Sequence, residues 1–137
     1  MAIRQDYIER MISQLVHALA SILKLGTANK PDEALQVVHQ TSLEVFGIEY
    51  RMLITIDAAS VADLLGHPSK ILALAKLVST EAELLQQKGD LEAVTHRLTH
   101  ALALAEEGQR RRTVMDPEDE ALVKSVRERL ARAGSGA

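Results

Sequence analysis

The stretch 71–105 constrains the fold of this chain more than any other. Its apolar residues recur at Leu74, Val78, Ala82 and Leu85, then at Val94, Leu98, Ala101, Leu102 and Ala105. Spacing by threes and fours places such side chains on one face of a helix. Between the two runs stands Gly89-Asp90. Glycine takes the left-handed conformation that ends a helix without a steric penalty, and aspartate accepts hydrogen bonds from the free N–H groups that open the next. A loop this short makes the two helices antiparallel neighbours. Ala82 and Ala101 are small enough to let the axes come close. The rest of the chain is expected to pack on this hairpin.

The hairpin resembles a tetratricopeptide repeat. The residues that carry the resemblance are Gly89-Asp90, closing the first helix, and Leu98, Ala101 and Leu102 on the second. Three positions depart from that pattern: Val94 stands where the repeat has a small Ala, Glu81 where it has Leu, and Glu106 where it has a terminal Pro. The resemblance implies paired antiparallel helices.

Composition agrees with helices. The chain of 137 residues has no Trp, one Phe (Phe46) and two Tyr (Tyr7 and Tyr50), so its core is Leu, Ile, Val, Ala and Met. Such a core suits helices packed through small residues and suits a β-sandwich poorly. It also argues against nucleic-acid modules that stack bases on aromatic rings. A formal net charge of -3 exerts no pull towards nucleic acid or anionic membrane. With no Cys, disulfides and thiolate metal sites are excluded. No apolar run approaches the roughly 20 residues of a membrane span. Charged residues interleave the apolar ones at the N-terminus, unlike a signal peptide. The expected location is cytoplasmic, and the expected organisation is one helical domain over 1–133 with a flexible tail at 134–137.

Glycine punctuates the sequence. Gly26, Gly47, Gly66, Gly89, Gly108 and Gly134 each follow an apolar-periodic segment, which predicts about six helices with C-terminal stops. The first helix spans about 4–25 and buries Ile8, Met11, Ile12, Leu15, Leu19 and Ile22. The second starts near Pro31, with Asp32 and Glu33 at its positive end, and buries Ala34, Leu35, Val38, Leu43, Val45 and Phe46. The run Asn29-Lys30-Pro31-Asp32-Glu33-Ala34 stands before this helix much as Lys88-Gly89-Asp90-Leu91-Glu92-Ala93 stands before a later one. This is a weak internal repeat some sixty residues apart. Residues 50–56 alternate, with Tyr50, Met52, Ile54 and Ile56 on one side, as a strand would. With no second strand to pair with, they read as an extended or loosely helical crossover; the sharper alternative is an edge pairing with its twin in a dimer. Asp57 caps a short helix over Ala58–Leu65, and His67-Pro68-Ser69 restarts the chain. Residues 109–115 read as a connector. Asp116-Pro117-Glu118-Asp119 then starts a last helix that turns Leu122, Val123, Val126 and Leu130 inward.

The opening Ile3-Arg4-Gln5-Asp6-Tyr7-Ile8-Glu9-Arg10-Met11-Ile12, with Gln14-Leu15 and Ala18-Leu19-Ala20 after it, resembles the start of a bacterial family of short all-helical proteins with a repeat-like second half. The resemblance implies a helical fold and supplies no activity, since that family is an uncharacterised domain of unknown function.

Few residues suggest chemistry. His96 and His100 lie four apart on one helix, a spacing that can present two imidazoles to a metal. A zinc site needs a third ligand, and Arg97 stands where the HExxH motif has Glu. His17, His39 and His67 are scattered. The better reading is polar-face histidines with no metal. Arg110-Arg111-Arg112 is the one dense basic run and could grip phosphate or an acidic partner, in the manner of a nucleic-acid accessory protein. Glu106-Glu107 before it and the acids from Asp116 to Glu120 after it favour an internally paired connector. The acidic pairs (Glu81 with Glu83, and 118–120) read as caps and surface charge. No nucleophile elbow and no Gly-rich phosphate loop occur, so neither catalysis nor a cofactor is expected. Tyr7, Leu23 and Leu25 give the first helix apolar surface off its main stripe, able to seat a partner or a second copy, or to be buried under the last helix. The functional expectation is a helical protein–protein interaction or scaffolding module, with its groove between the first helix and the 71–105 hairpin.

Overall fold

The computed structural model describes residues 2–135, and among them every regular element is helical. Seven helices follow in order: α1 (Ala2–Thr27), α2 (Pro31–Thr41), α3 (Tyr50–Thr55), α4 (Ala58–Leu65), α5 (Pro68–Gln87), α6 (Leu91–Arg111) and α7 (Pro117–Ser135). A π turn, Ser42–Phe46, prolongs α2. The class is the all-helical one that the periodicity predicts. The described helices exceed the expected six because residues 50–55 form one of their own.

The hub is α5. Its buried residues include Ile71, Leu72, Ala73, Leu74, Ala75, Leu77 and Val78, so seven of eight successive positions face protein. A helix apolar on all sides belongs in a core. It touches α1, α2, α4, α6 and α7, and α6 lies along most of it. From α6, Val94, Leu98, Ala101, Leu104 and Ala105 are buried. Ala101 and Ala105 have no exposed surface, as close approach of the two axes requires. From α7, Val123 and Val126 close the core, while Leu122 and Leu130 pack at its margin.

The α1–α2 and α5–α6 hairpins turn by the same device. Gly89 is left-handed (φ 82°), its N–H donates to Gln86 O (3.0 Å), and Asp90 N–H donates to Leu85 O (3.0 Å). Asn29 is left-handed too (φ 61°), with its N–H on Gly26 O (3.1 Å) and Lys30 N–H on Leu25 O (2.9 Å). This pair of bonds satisfies carbonyls that a helix end otherwise leaves without partners. The two turns also touch: the Gln87 amide donates to Gly26 O (2.7 Å), and Lys88 pairs with Asp32 (2.5 Å). The internal repeat is a repeat of turn geometry one residue out of the register read from the sequence: Asn29 matches Gly89, not Lys88, and Ala34 and Val38 are buried on α2 as Val94 and Leu98 are on α6.

Several expectations are corrected. Gly47 and Gly66 end helices with positive φ as expected, but Gly26, Gly108 and Gly134 lie inside helices. At Gly26 the left-handed residue is instead Asn29. Gly108 has a packing reason: a Cβ there would stand 2.6 Å from Leu72 Cγ. Helix α6 thus runs on to Arg111, and the connector shortens to 112–116. Residues 50–55 bury Tyr50, Leu53 and Ile54 and leave Met52 49% exposed, which is helical and not alternating. With no strand beside it, the segment satisfies its backbone locally, and the edge-pairing alternative falls with the strand. The π turn shifts the buried face of α2, so Ser42 and Val45 are inside and Leu43 is 53% exposed. Gly134 and Ser135 are helical where the tail was expected, and residues 136–137 lie outside the described residues.

Candidate functional site

A buried polar cluster joins α3, α5 and α6. Glu81, on α5, is 3% exposed. Its Oε1 accepts from the Tyr50 hydroxyl (2.8 Å) and from Arg97 Nε (2.6 Å). Arg97 Nη1 lies 2.6 Å from His96 Nδ1, and because a guanidinium only donates, that nitrogen is the acceptor. His100 Nε2 lies 2.7 Å from Leu53 O; a carbonyl only accepts, so Nε2 carries the proton. The His39 ring meets Tyr50 edge-on at 5.2 Å. Burial, reinforced by the Glu81 carboxylate, pushes the Tyr50 phenol well above its ordinary pKa and keeps it a donor. Burial pulls His100 below the usual histidine value, against the Leu53 carbonyl and the Asp57 charge, which act the other way. No described buried side-chain polar atom lacks a partner. Glu81 is the centre of the lock between elements: removing its carboxylate leaves the buried Tyr50 hydroxyl and the Arg97 Nε–H without their acceptor.

The His96 and His100 rings face each other nearly parallel, 6.4 Å apart. Each has one nitrogen engaged by protein, and the Arg97 charge lies between them in sequence and beside His96 in space. Among the described residues no three His, Asp or Glu side chains gather as a metal site would need. His17 is exposed on α1, and His39 is exposed on α2 with its ring edge-on to Tyr50. His67 caps α5 by accepting from Ser69 N–H (3.0 Å).

The three arginines point three ways. Arg110 pairs with Glu107 (3.0 Å), and Arg111 with Asp63 (2.7 Å) and Glu107 (3.5 Å). Arg112 bonds the buried Asp119 at the start of α7 and reaches Ser69 (3.5 Å). Arg111 and Arg112 are clasps that hold α4 and α7 to α6, while Arg110 pairs within α6 and its side chain stays 65% exposed. Exposed Val114 and Met115 lie in the connector beyond it, over an open cleft of about 710 Å³.

The apolar surplus lies on α1. Ile8, Met11, Leu15 and Ile22 are buried as expected, but Ile12 is 38%, Val16 58% and Leu23 47% exposed, with Leu19 half-buried. These last four, spaced 4-3-4, make a second stripe beside the first. A groove of about 140 Å³ runs along it, with Ile12, Val16 and Leu19 on one wall, Leu72 and Ala73 as floor, and Arg112 with Asp119 opposite. The groove lies between α1, α5 and the start of α7. Of the residues singled out, Leu23 belongs to the stripe. Leu25 packs at the core margin. Tyr7 stays half-exposed, on α1, with Lys70 Nζ 5.1 Å from its ring centroid. Ile12 was expected in the core and is 38% exposed, and Val16, 58% exposed, was not singled out although its register with Leu19 and Leu23 is visible in the sequence.

No described helix is long and apolar enough to cross a membrane. No family model, curated protein or solved structure matches the chain.

Proposed function

We propose that this chain is a helical docking module that seats a helix of another polypeptide along the free flank of α1, and that its role needs no reactive group. The observation that carries this reading is the second apolar stripe, Ile12, Val16, Leu19 and Leu23, left open beside a groove. An amphipathic helix laid in a groove is held by anchors in this register, with a polar rim around them. Lys76, Arg112 and Glu118 supply such a rim here. The shared turn of the two hairpins supports kinship with tetratricopeptide-like arrays. The metal and nucleic-acid readings lack a comparable observation, because their imidazoles and guanidinia are already bonded within the chain.

A photo-crosslinking residue placed at Val16 or Leu23 in cells should give covalent adducts of higher mass. The same residue at exposed Gln14, on another side of α1, should not. Equal yield at all three positions, or none, overturns the proposal.

A further inference from the structure

The free flank of α1 reads the same from both ends. Its apolar row is Ile12, Val16, Leu19, Leu23. The row beside it is Glu9, Ser13, Ala20, Lys24, all exposed. About a point near residue 17, Ile12 corresponds to Leu23 and Val16 to Leu19. Ser13 corresponds to Ala20, both small, and Glu9 to Lys24, opposite in charge. We infer that this flank pairs with α1 of a second copy, antiparallel, about a two-fold axis at the Val16–Leu19 turn. The inference rests on the docking reading above and names its occupant.

Charge selects the direction. Antiparallel pairing sets each Glu9 beside Lys24 of the second copy, whereas parallel pairing sets Glu9 beside Glu9 and Lys24 beside Lys24. Within one chain Glu9 accepts only from the Gln5 amide (3.3 Å), and the Lys24 ammonium has no ion-pair partner among the described residues. Small side chains at positions 13 and 20 let the axes approach at the near end of the 8–10 Å range for packed helices. A two-fold contact is self-complementary by construction, which is what a palindromic face supplies. The span from residue 9 to 24 is about 24 Å long at the standard helical rise. One helix face of that length buries less than the roughly 800 Å² per partner of a standard stable interface, so the pairing is a reversible one.

The chain has no cysteine, so a single replacement introduces its only thiol. I12C and L23C, mixed and mildly oxidised, should form the mixed disulfide, while neither forms a disulfide alone. Disulfides within each single variant mean parallel pairing and overturn the inference. Sedimentation of the unmodified chain should show a monomer–dimer equilibrium; a monomer at every concentration also overturns it. E9K should weaken the dimer about tenfold, two rim pairs turning repulsive, and E9K/K24E should restore it. Failure to restore it refutes the pairing. If the chain stays monomeric but Val16 crosslinks to a different protein, the self-pairing is wrong and the docking reading stands.

Discussion

Replacing Gly108 with alanine tests the closest approach in the fold. Two effects oppose each other. Alanine in a helix interior is favoured over glycine by about 1 kcal/mol. Against that, the new methyl would stand 2.6 Å from Leu72 Cγ and 3.1 and 3.2 Å from its two Cδ atoms. Leu72 is 2% exposed and packed between α6 and α1, so it can give way only towards the groove whose floor it forms, at the cost of leaving its packed position. Overpacking of this kind costs roughly 1–3 kcal/mol. The net expectation is a loss of about 1 kcal/mol, or about 4 °C in Tm for a chain of this size. Gly134 is the control: it is helical with nothing within 4 Å of a new Cβ, so G134A should gain a few tenths of a kcal/mol near the end of α7. Urea denaturation followed by far-UV circular dichroism measures both, there being no Trp to report by fluorescence. In a double-mutant cycle, L72A should cancel most of the G108A cost, giving a coupling of about 1 kcal/mol or more. If G108A proves as stabilising as an unhindered Gly-to-Ala change, α6 does not approach α5 as closely as argued.

Two further outcomes concern the polar cluster. Glu81→Leu should destabilise by about 3 kcal/mol, since it leaves the buried Tyr50 hydroxyl and the Arg97 Nε–H without their acceptor. This is the low end of the range for breaking a buried pair, because the Arg97 side chain keeps 19% exposure; the triple variant Y50F/E81L/R97L should recover most of the loss in the same denaturation assay, and a mild effect of E81L alone would refute the lock. For His100 the folded pKa lies below the unfolded value of about 6.5, so the unfolded chain binds more protons as pH falls through 6.5. Its stabilising effect is full above that pH and is lost below it, and the stability–pH profile of His100→Gln should be flatter there; identical slopes would contradict the assignment.

Local signals made the α5–α6 hairpin legible. Its period is strong, and Gly89-Asp90 forms both of the turn bonds that such a pair of residues can form. Residues 50–55 read as a strand or a loosely helical crossover because Tyr50, Met52, Ile54 and Ile56 recur at every second position and Ile54, Thr55 and Ile56 are β-branched, while a six-residue helix gains its stability from Tyr50 and Leu53 in the core and not from propensity. Gly108 misled for a related reason. A glycine that admits a neighbouring Leu and one that ends a helix look the same until the neighbour is known. The partnership of Glu81 with Arg97 and Tyr50 was beyond reach, though Glu81 already stood out as a departure from the repeat pattern. Ile12 was assigned to the core because it belongs to an apolar face nearly half the helix wide, and period alone cannot say which edge of such a face is covered.

That width argues for a role outside the fold. Exceptions to burial run in two directions here. Polar side chains inside, from Tyr50 to Arg97 and from Arg112 to Asp119, are all bonded, so they serve the monomer. Apolar side chains outside on α1 have no such account. Ile8, Met11, Leu15 and Ile22 already complete the stripe that holds α1 to the core. The second stripe adds little burial and leaves branched aliphatic surface in water, where polar residues would fold as well. A single exposed Leu needs no reason, but four aliphatic residues in coiled-coil register, three exposed and Leu19 half-buried, flanked by small residues and ended by opposite charges with no ion pair among the described residues, are arranged as a seam. A seam has two sides, and one chain supplies only one of them.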